Sequence, residues 1–229
     1  MQMDYEWLSK TPLFAGASPG QVEELLVCLG AARRSYGKGE LLLRQGEPTD
    51  SFGLVLSGRV LLSSGDCWGG QALLGSLEPG EVFAESYACT GRPLWVQVQA
   101  AEPTQALFLR ADRAARVCPK ACPSHSLLVQ NLLSLCAQKN LALSRKIAHT
   151  TPKTIRGRLC SYLSDQALAA GSRSFTIPYN RQQLADYLHV DRSALSNELS
   201  QMRREGLLRV HRSWFSLLGK LDGGDVFLR

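Results

Sequence analysis

Asn180 to Gly206, NRQQLADYLHVDRSALSNELSQMRREG, is the stretch on which the reading of this chain turns. Leu184, Ala185 and Leu188 fall on one helical face of Arg181 to Leu188, and the chain then turns through His189 and Val190. Asp191 restarts it, because a short acidic side chain there can accept hydrogen bonds from the next helix's first N–H groups. In that second helix Ala194, Leu195, Leu199 and Met202 recur at helical spacing, so Arg192, Ser193, Ser196, Asn197 and Gln201 face outward. Two short helices about a tight turn, the second beginning with small polar residues, form the geometry that enters a DNA major groove.

Charge agrees with that placement. The net +6 divides unevenly: residues 1 to 150 hold 14 basic and 13 acidic side chains, whereas residues 151 to 229 hold 12 and 7. An excess of cations gathered around two helices is the footprint of phosphate contact.

The same stretch resembles the DNA-binding segment of the bacterial CRP/FNR regulators, whose pattern begins R-x-E-I-A-x-x-L-G-x-S/T-R-E-T-V-S-R. Arg181, Leu184, Ala185, Leu188, Arg192, Ser196, Leu199, Met202, Gly206 and Leu207 match it without a gap. Ser193 and Asn197 stand where the family often has Glu and Arg. Asn favours adenine where Arg favours guanine, so a different half-site is expected. The resemblance implies base-edge roles for Arg192, Ser193, Ser196 and Asn197, and phosphate roles for Arg181 and Gln182, with Arg203, Arg204 and Arg212 as further phosphate candidates.

Working outward, Leu207 to His211 and Trp214 to Leu218 flank Arg212-Ser213 as a two-stranded wing, and Phe175 to Pro178 is a short strand. Thr151 and Pro152 are expected to open a helix that Gly171 closes. Ser124 to Thr150 contains no Gly or Pro and reads as one long helix. Val129, Leu133, Cys136, Asn140, Leu143 and Ile147 step through it as a coiled-coil seam, in which Asn140 would fix register between two identical helices. Leu128, Leu132 and Leu135 make a second stripe that can pack on the preceding domain.

Upstream, Val22, Leu25, Leu26 and Leu29 form a helical face after Ser18-Pro19, and from Tyr36 the period changes. ELLLRQGEPTD, SFGLVLSGRVLLSSG, QALLGSLEPGEVF, PLWVQVQAAEP and TQALFLR are short strand signals bounded by turn residues, which together indicate an antiparallel barrel or sandwich. Gly37-Lys38-Gly39-Glu40, Gln45-Gly46-Glu47-Pro48, Ser57-Gly58 and Pro79-Gly80-Glu81-Val82-Phe83 resemble the cyclic-nucleotide-binding β-roll of the same regulators. The implied fold is α+β: an N-terminal antiparallel, jelly-roll-like β-roll in 1–117, a linker and dimerisation helix in 118–150, and a winged helix-turn-helix in 151–229.

In cyclic-AMP-binding relatives a Gly-Glu pair is followed about ten residues later by Arg-Ser or Arg-Thr. Here Ala84 precedes Glu85, Arg92 comes early, and Pro93 has no N–H to donate. A cyclic nucleotide is therefore not expected as the ligand; the effector and any cofactor are left unidentified, with Glu85, Ser86 and Trp95 as its candidate contacts. A redox or metal sensor of the same architecture is the alternative, through Cys118, Cys122 and His125, although no fourth zinc ligand lies nearby. Seven scattered cysteines argue against a disulfide framework; Cys28, Cys136 and Cys160 are expected in cores, and His149, His189 and His211 at the surface.

No catalytic motif appears, and no apolar run approaches the about 20 residues of a membrane span. The expectation is a cytoplasmic, homodimeric, non-enzymatic regulator. Its partners would be a pseudo-palindromic double-stranded operator, an unknown small-molecule or redox effector and, for an activator, RNA polymerase.

Overall fold

The computed structural model describes residues 3–115 and 123–218, so Cys118 and Cys122 lie outside the described residues. The chain separates into two units, Met1–Gln138 and Lys139–Arg229.

The first unit opens with α1 (Tyr5–Ser9) and α2 (Pro19–Cys28). Ser18 and Gln21 bond each other's backbone N–H across the start of α2, and Pro19 at its first position gives up no hydrogen bond. Eight strands follow: β1 (Ala32–Tyr36), β2 (Leu41–Leu43), β3 (Ser51–Ser57), β4 (Val60–Gly65), β5 (Gln71–Leu77), β6 (Val82–Phe83), β7 (Gln97–Ala100) and β8 (Thr104–Arg110). They form two antiparallel four-stranded sheets, ordered β1-β8-β3-β6 and β2-β7-β4-β5, as the jelly-roll reading requires. Leu42, Val55, Val60, Phe83, Val98, Ala106 and Phe108 fill one core. A second core joins α1 and α2 to Phe52, Leu54 and Leu107.

β1 is a departure from expectation. ARRSY shows no alternation and is largely exposed, yet it pairs with β8, Ala32 opposite Phe108 through Tyr36 opposite Thr104. A short helix α3 (Glu85–Thr90) and α4 (Ala111–Ala115) complete the β-roll. Cys28 is exposed beside the exposed Val27, which corrects its expected core position; Cys136 and Cys160 are half-buried.

α5 runs unbroken from Pro123 to Thr150. Its first half belongs to the first unit, where Leu128 and Leu132 are buried against Leu13, Phe14 and Leu26, and Leu135 packs at the edge. Asn131 adds two hydrogen bonds to the carbonyls of Leu13 and Ala15.

The second unit contains α6 (Ile155–Ala170), β9 (Ser174–Thr176), α7 (Arg181–Leu188), α8 (Arg192–Arg204), β10 (Leu208–His211) and β11 (Trp214–Leu217). Its sheet order is β10-β11-β9. The expected start of α6 is corrected. Thr154 caps it by accepting from the Gly157 N–H, whereas Thr151 turns back and donates to the Ile147 carbonyl of α5. Among the described residues, no helix is long and apolar enough to cross a membrane.

Candidate nucleic-acid interface

α7 and α8 are each fixed at their N-termini by their own sequence. Asn180 and Gln183 close a reciprocal capping box on α7, and the Asp191 carboxylate accepts from the Ala194 N–H at 2.8 Å. That bond, with help from the Ser193 hydroxyl, holds the Asp191 carboxylate below its usual pKa. Between the helices His189 takes a left-handed conformation with φ of 53°. Arg158 of α6 reaches the exposed carbonyls at this turn, donating to Leu188 and His189 at 2.9 and 3.0 Å and to Pro152 through Nε.

Leu195, Leu199 and Met202 bury one side of α8 against Leu184, Leu188, Tyr162 and Phe215. The other side stands in solvent: Arg192, Ser193 and Asn197 are exposed, and Ser196 is half-buried with its hydroxyl donating to the Arg192 carbonyl. Gln182 is exposed on α7 and bonds Asp186. Arg181 is half-buried with its guanidinium 5.4 Å from the Phe215 ring centroid, and burial lowers its pKa. Arg181, Ser196, Leu199, Ser200, Arg203 and Val210 line one groove of about 200 Å³. It joins the start of α7 to the middle of α8 and the wing, bringing together three of the residues expected at DNA. Arg204, Arg209 and Arg212 are exposed nearby in sequence, Arg212 at the wing turn with φ of 53°.

Two supports were not legible in the sequence. Arg156 of α6 holds α8 at two levels, its Nε 2.6 Å from Glu198 and its two other nitrogens paired to Glu205. Glu205 also accepts from Gln201, and these contacts lower its pKa, Arg156 first. His149 is the second. Expected at the surface, it is only 3% exposed, because Tyr162 and Tyr187 close over its ring.

The residues expected to hold an effector are not brought together. Glu85 is buried and Ser86 exposed on α3, whereas Trp95 is exposed and lines a groove of about 480 Å³ with Ser64, Asp66, Gln71 and Ala72. Ala84 adopts φ of 61°, Arg92 and Pro93 are exposed, and Leu94 is buried. His125, proposed as a metal ligand, is buried, and its Nε2 donates to the Ala114 carbonyl at 3.0 Å. Among the described residues no three His, Cys, Asp or Glu side chains gather as a metal site. On α5, Val129, Leu133, Asn140, Leu143 and Ile147 are all exposed, with Cys136 half-buried in the same row.

A β-roll followed by a helix-turn-helix with a wing defines a two-domain regulator that binds DNA. Comparison with known proteins agrees: residues 33–120 match the cyclic nucleotide-binding domain, and residues 157–218 match the Crp-like helix-turn-helix domain. The chain belongs to the CRP/FNR family of transcriptional regulators. It is 27% identical over 201 residues to the cyclic AMP receptor protein of Thermus thermophilus, covering 87% of this chain and 89% of that protein. The crystal structure of the Thermus thermophilus catabolite activator protein is 25% identical, with a TM-score of 0.50 over 90% of this chain and 93% of that one. The c-di-GMP-responsive regulator CLP of Xanthomonas campestris shares the fold at 18% identity, with a TM-score of 0.53 over 89% of this chain and all of that one.

Proposed function

We propose that two copies of this chain pair through α5 and lay α8 of each copy in successive major grooves of a pseudo-palindromic operator. Residues 1–117 would then be the sensor, 118–150 the connecting and pairing segment, and 151–229 the reader. The observation that carries the reading is the exposed row of Arg192, Ser193 and Asn197 on a helix whose opposite side is buried. Arg192, Ser193, Ser196 and Asn197 meet base edges, and Arg181 and Gln182 meet phosphate. Pairing is supported by the outward apolar row on α5, where Leu133, Leu143 and Ile147 are each more than 60% exposed. An unpartnered stripe of that size on a long helix is costly in water. An activator of this kind would also meet RNA polymerase.

The effector, of a class left unidentified, acts at the junction of β-roll and α5. Pro93, which has no N–H to donate, stands where cyclic-AMP-binding relatives carry Ser or Thr, which weighs against a cyclic nucleotide.

Selection of bound fragments from genomic DNA, followed by mobility shifts at increasing salt, tests the reading. Phosphate contacts predict a steep linear fall of log affinity with log salt. Asn197→Ala should cost about 1–3 kcal/mol at one base step only; equal losses on every sequence would remove Asn197 as a reader. Salt-independent binding, or a monomer in sedimentation at micromolar concentration, would overturn the proposal.

A further inference from the structure

His149 is a buried titratable group of the second unit that DNA contact leaves unused. Its ring lies one residue before the end of α5, edge-on to Tyr162 of α6 with centroids 5.4 Å apart, and 5.9 Å from the ring of Tyr187 of α7. Nδ1 is 2.9 Å from the Tyr187 hydroxyl, and Nε2 faces the Asp165 carboxylate of α6 at 3.6 Å. Tyr179, just ahead of α7, stacks on Tyr162 and approaches Tyr187. Ser161 of α6 donates to the Ala148 carbonyl, so the last turn of α5 is tied to α6 by backbone and to α7 by the imidazole.

The charged groups that face the ring are few. Asp165 comes from α6, and Arg145 and Lys146 come from α5 itself, with the Lys146 ammonium 5.9 Å from the Tyr187 ring centroid. α7 and the segment before it present only the hydroxyls of Tyr187 and Tyr179. The contacts suit one neutral tautomer: Nδ1 accepts from the Tyr187 hydroxyl while Nε2–H points at Asp165. A second ring proton would disturb both sides. Nδ1 would then confront the Tyr187 hydrogen, and the new charge would sit in an aromatic enclosure where its one carboxylate neighbour is 29% exposed and screened by water.

We propose that His149 is a positioning residue: its neutral ring docks the last turn of α5 onto α6 and α7, and protonation releases that contact, so that acid weakens operator binding. This rests on the reading of α7 and α8 as the DNA reader. Through Tyr187 the ring sets how α7, and the turn into α8, stand against α5. Burial lowers the pKa of His149, Asp165 opposes with a smaller upward push, and Arg145 lowers it again. A histidine with a lowered folded pKa stabilises the docked form fully above its ordinary value of about 6.5. The stabilisation is lost as pH falls through that value toward the folded one.

The sign is diagnostic. Positive charge gained on a DNA-facing surface would by itself strengthen phosphate binding, so a fall in acid runs against nonspecific charging.

The test uses the full chain and the tightest fragment recovered in the genomic selection, with binding followed by fluorescence anisotropy from neutral pH downward. Wild type should weaken by up to about tenfold per pH unit between the ordinary value of about 6.5 and the lowered folded one, and level off below it. His149→Gln, which cannot take up a proton, should lose that fall. Parallel profiles for wild type and variant would overturn the proposal while leaving DNA binding intact, whereas wild type binding no fragment at any pH would instead remove the underlying reading. Ring titration of His149 by NMR in the wild-type chain needs no variant to fold. A midpoint below the ordinary value of about 6.5 is expected, and one at or above it would also overturn the proposal.

Discussion

Ala84 in the β-roll and His189 between α7 and α8 occupy the same backbone conformation, with φ of 61° and 53°, and both stand where the family pattern favours glycine. Each therefore accepts the about 1–2 kcal/mol that a Cβ costs in the left-handed region. The surroundings differ. At His189 the turn is rebuilt around the strain, with Arg158 donating to the carbonyls on either side and the cap of the next helix, Asp191, two residues later. At Ala84 no side chain caps α3, and the residues after it depart from the family's phosphate-binding pattern. Losing a glycine leaves the backbone shape intact. What decides whether a site keeps its chemistry is whether neighbouring donors remain.

That comparison has three ways to fail. The largest concerns the cores beneath the two turns: Phe83, 1% exposed under Ala84, and Leu195, fully buried under the helix pair. Phe83→Ala should cost about 3–5 kcal/mol and Leu195→Ala about 2–5, read by chemical denaturation. A loss under 1 kcal/mol at either would mean that its turn does not rest on a packed floor. Next comes Arg158→Met, which keeps the aliphatic stem and removes the donors. Leaving the Leu188, His189 and Pro152 carbonyls without this partner should cost about 1–3 kcal/mol in thermal unfolding; an unchanged midpoint would show that water replaces the guanidinium freely. The smallest effect is relief of the strain itself. Ala84→Gly and His189→Gly should each stabilise by about 0.5 kcal/mol, since the relieved strain exceeds the added chain entropy only slightly. Opposite signs at the two positions would break the parallel.

How far the sequence revealed the molecule follows the range of the forces involved. The bounds of α7 and the start of α8 were legible because caps and apolar spacing act within four positions, as Asp191 with Ala194 demonstrates. β1 was not, since ARRSY becomes a strand only by pairing with β8 some seventy residues later. His149 sits in a polar stretch of sequence and is buried by Tyr162 and Tyr187, which lie 13 and 38 positions downstream. Thr151-Pro152 had the look of a helix start, but Thr154 offered its hydroxyl to Gly157 and took that role. The Arg156 fork carried no local signal, because Glu198 and Glu205 come into reach only once α6 crosses α8.

α5 imposes a rule on how such chains can diverge. Leu128 and Leu132 face the β-roll core while Val129 and Leu133, one position on, face solvent. A single inserted residue would turn everything after it by about 100° around the helix axis, carrying Leu143 and Ile147 out of line with Val129 and Leu133. Drift in length should therefore be confined to the hairpin tips, and within α5 should arrive only in steps of about seven residues, two full turns at a time.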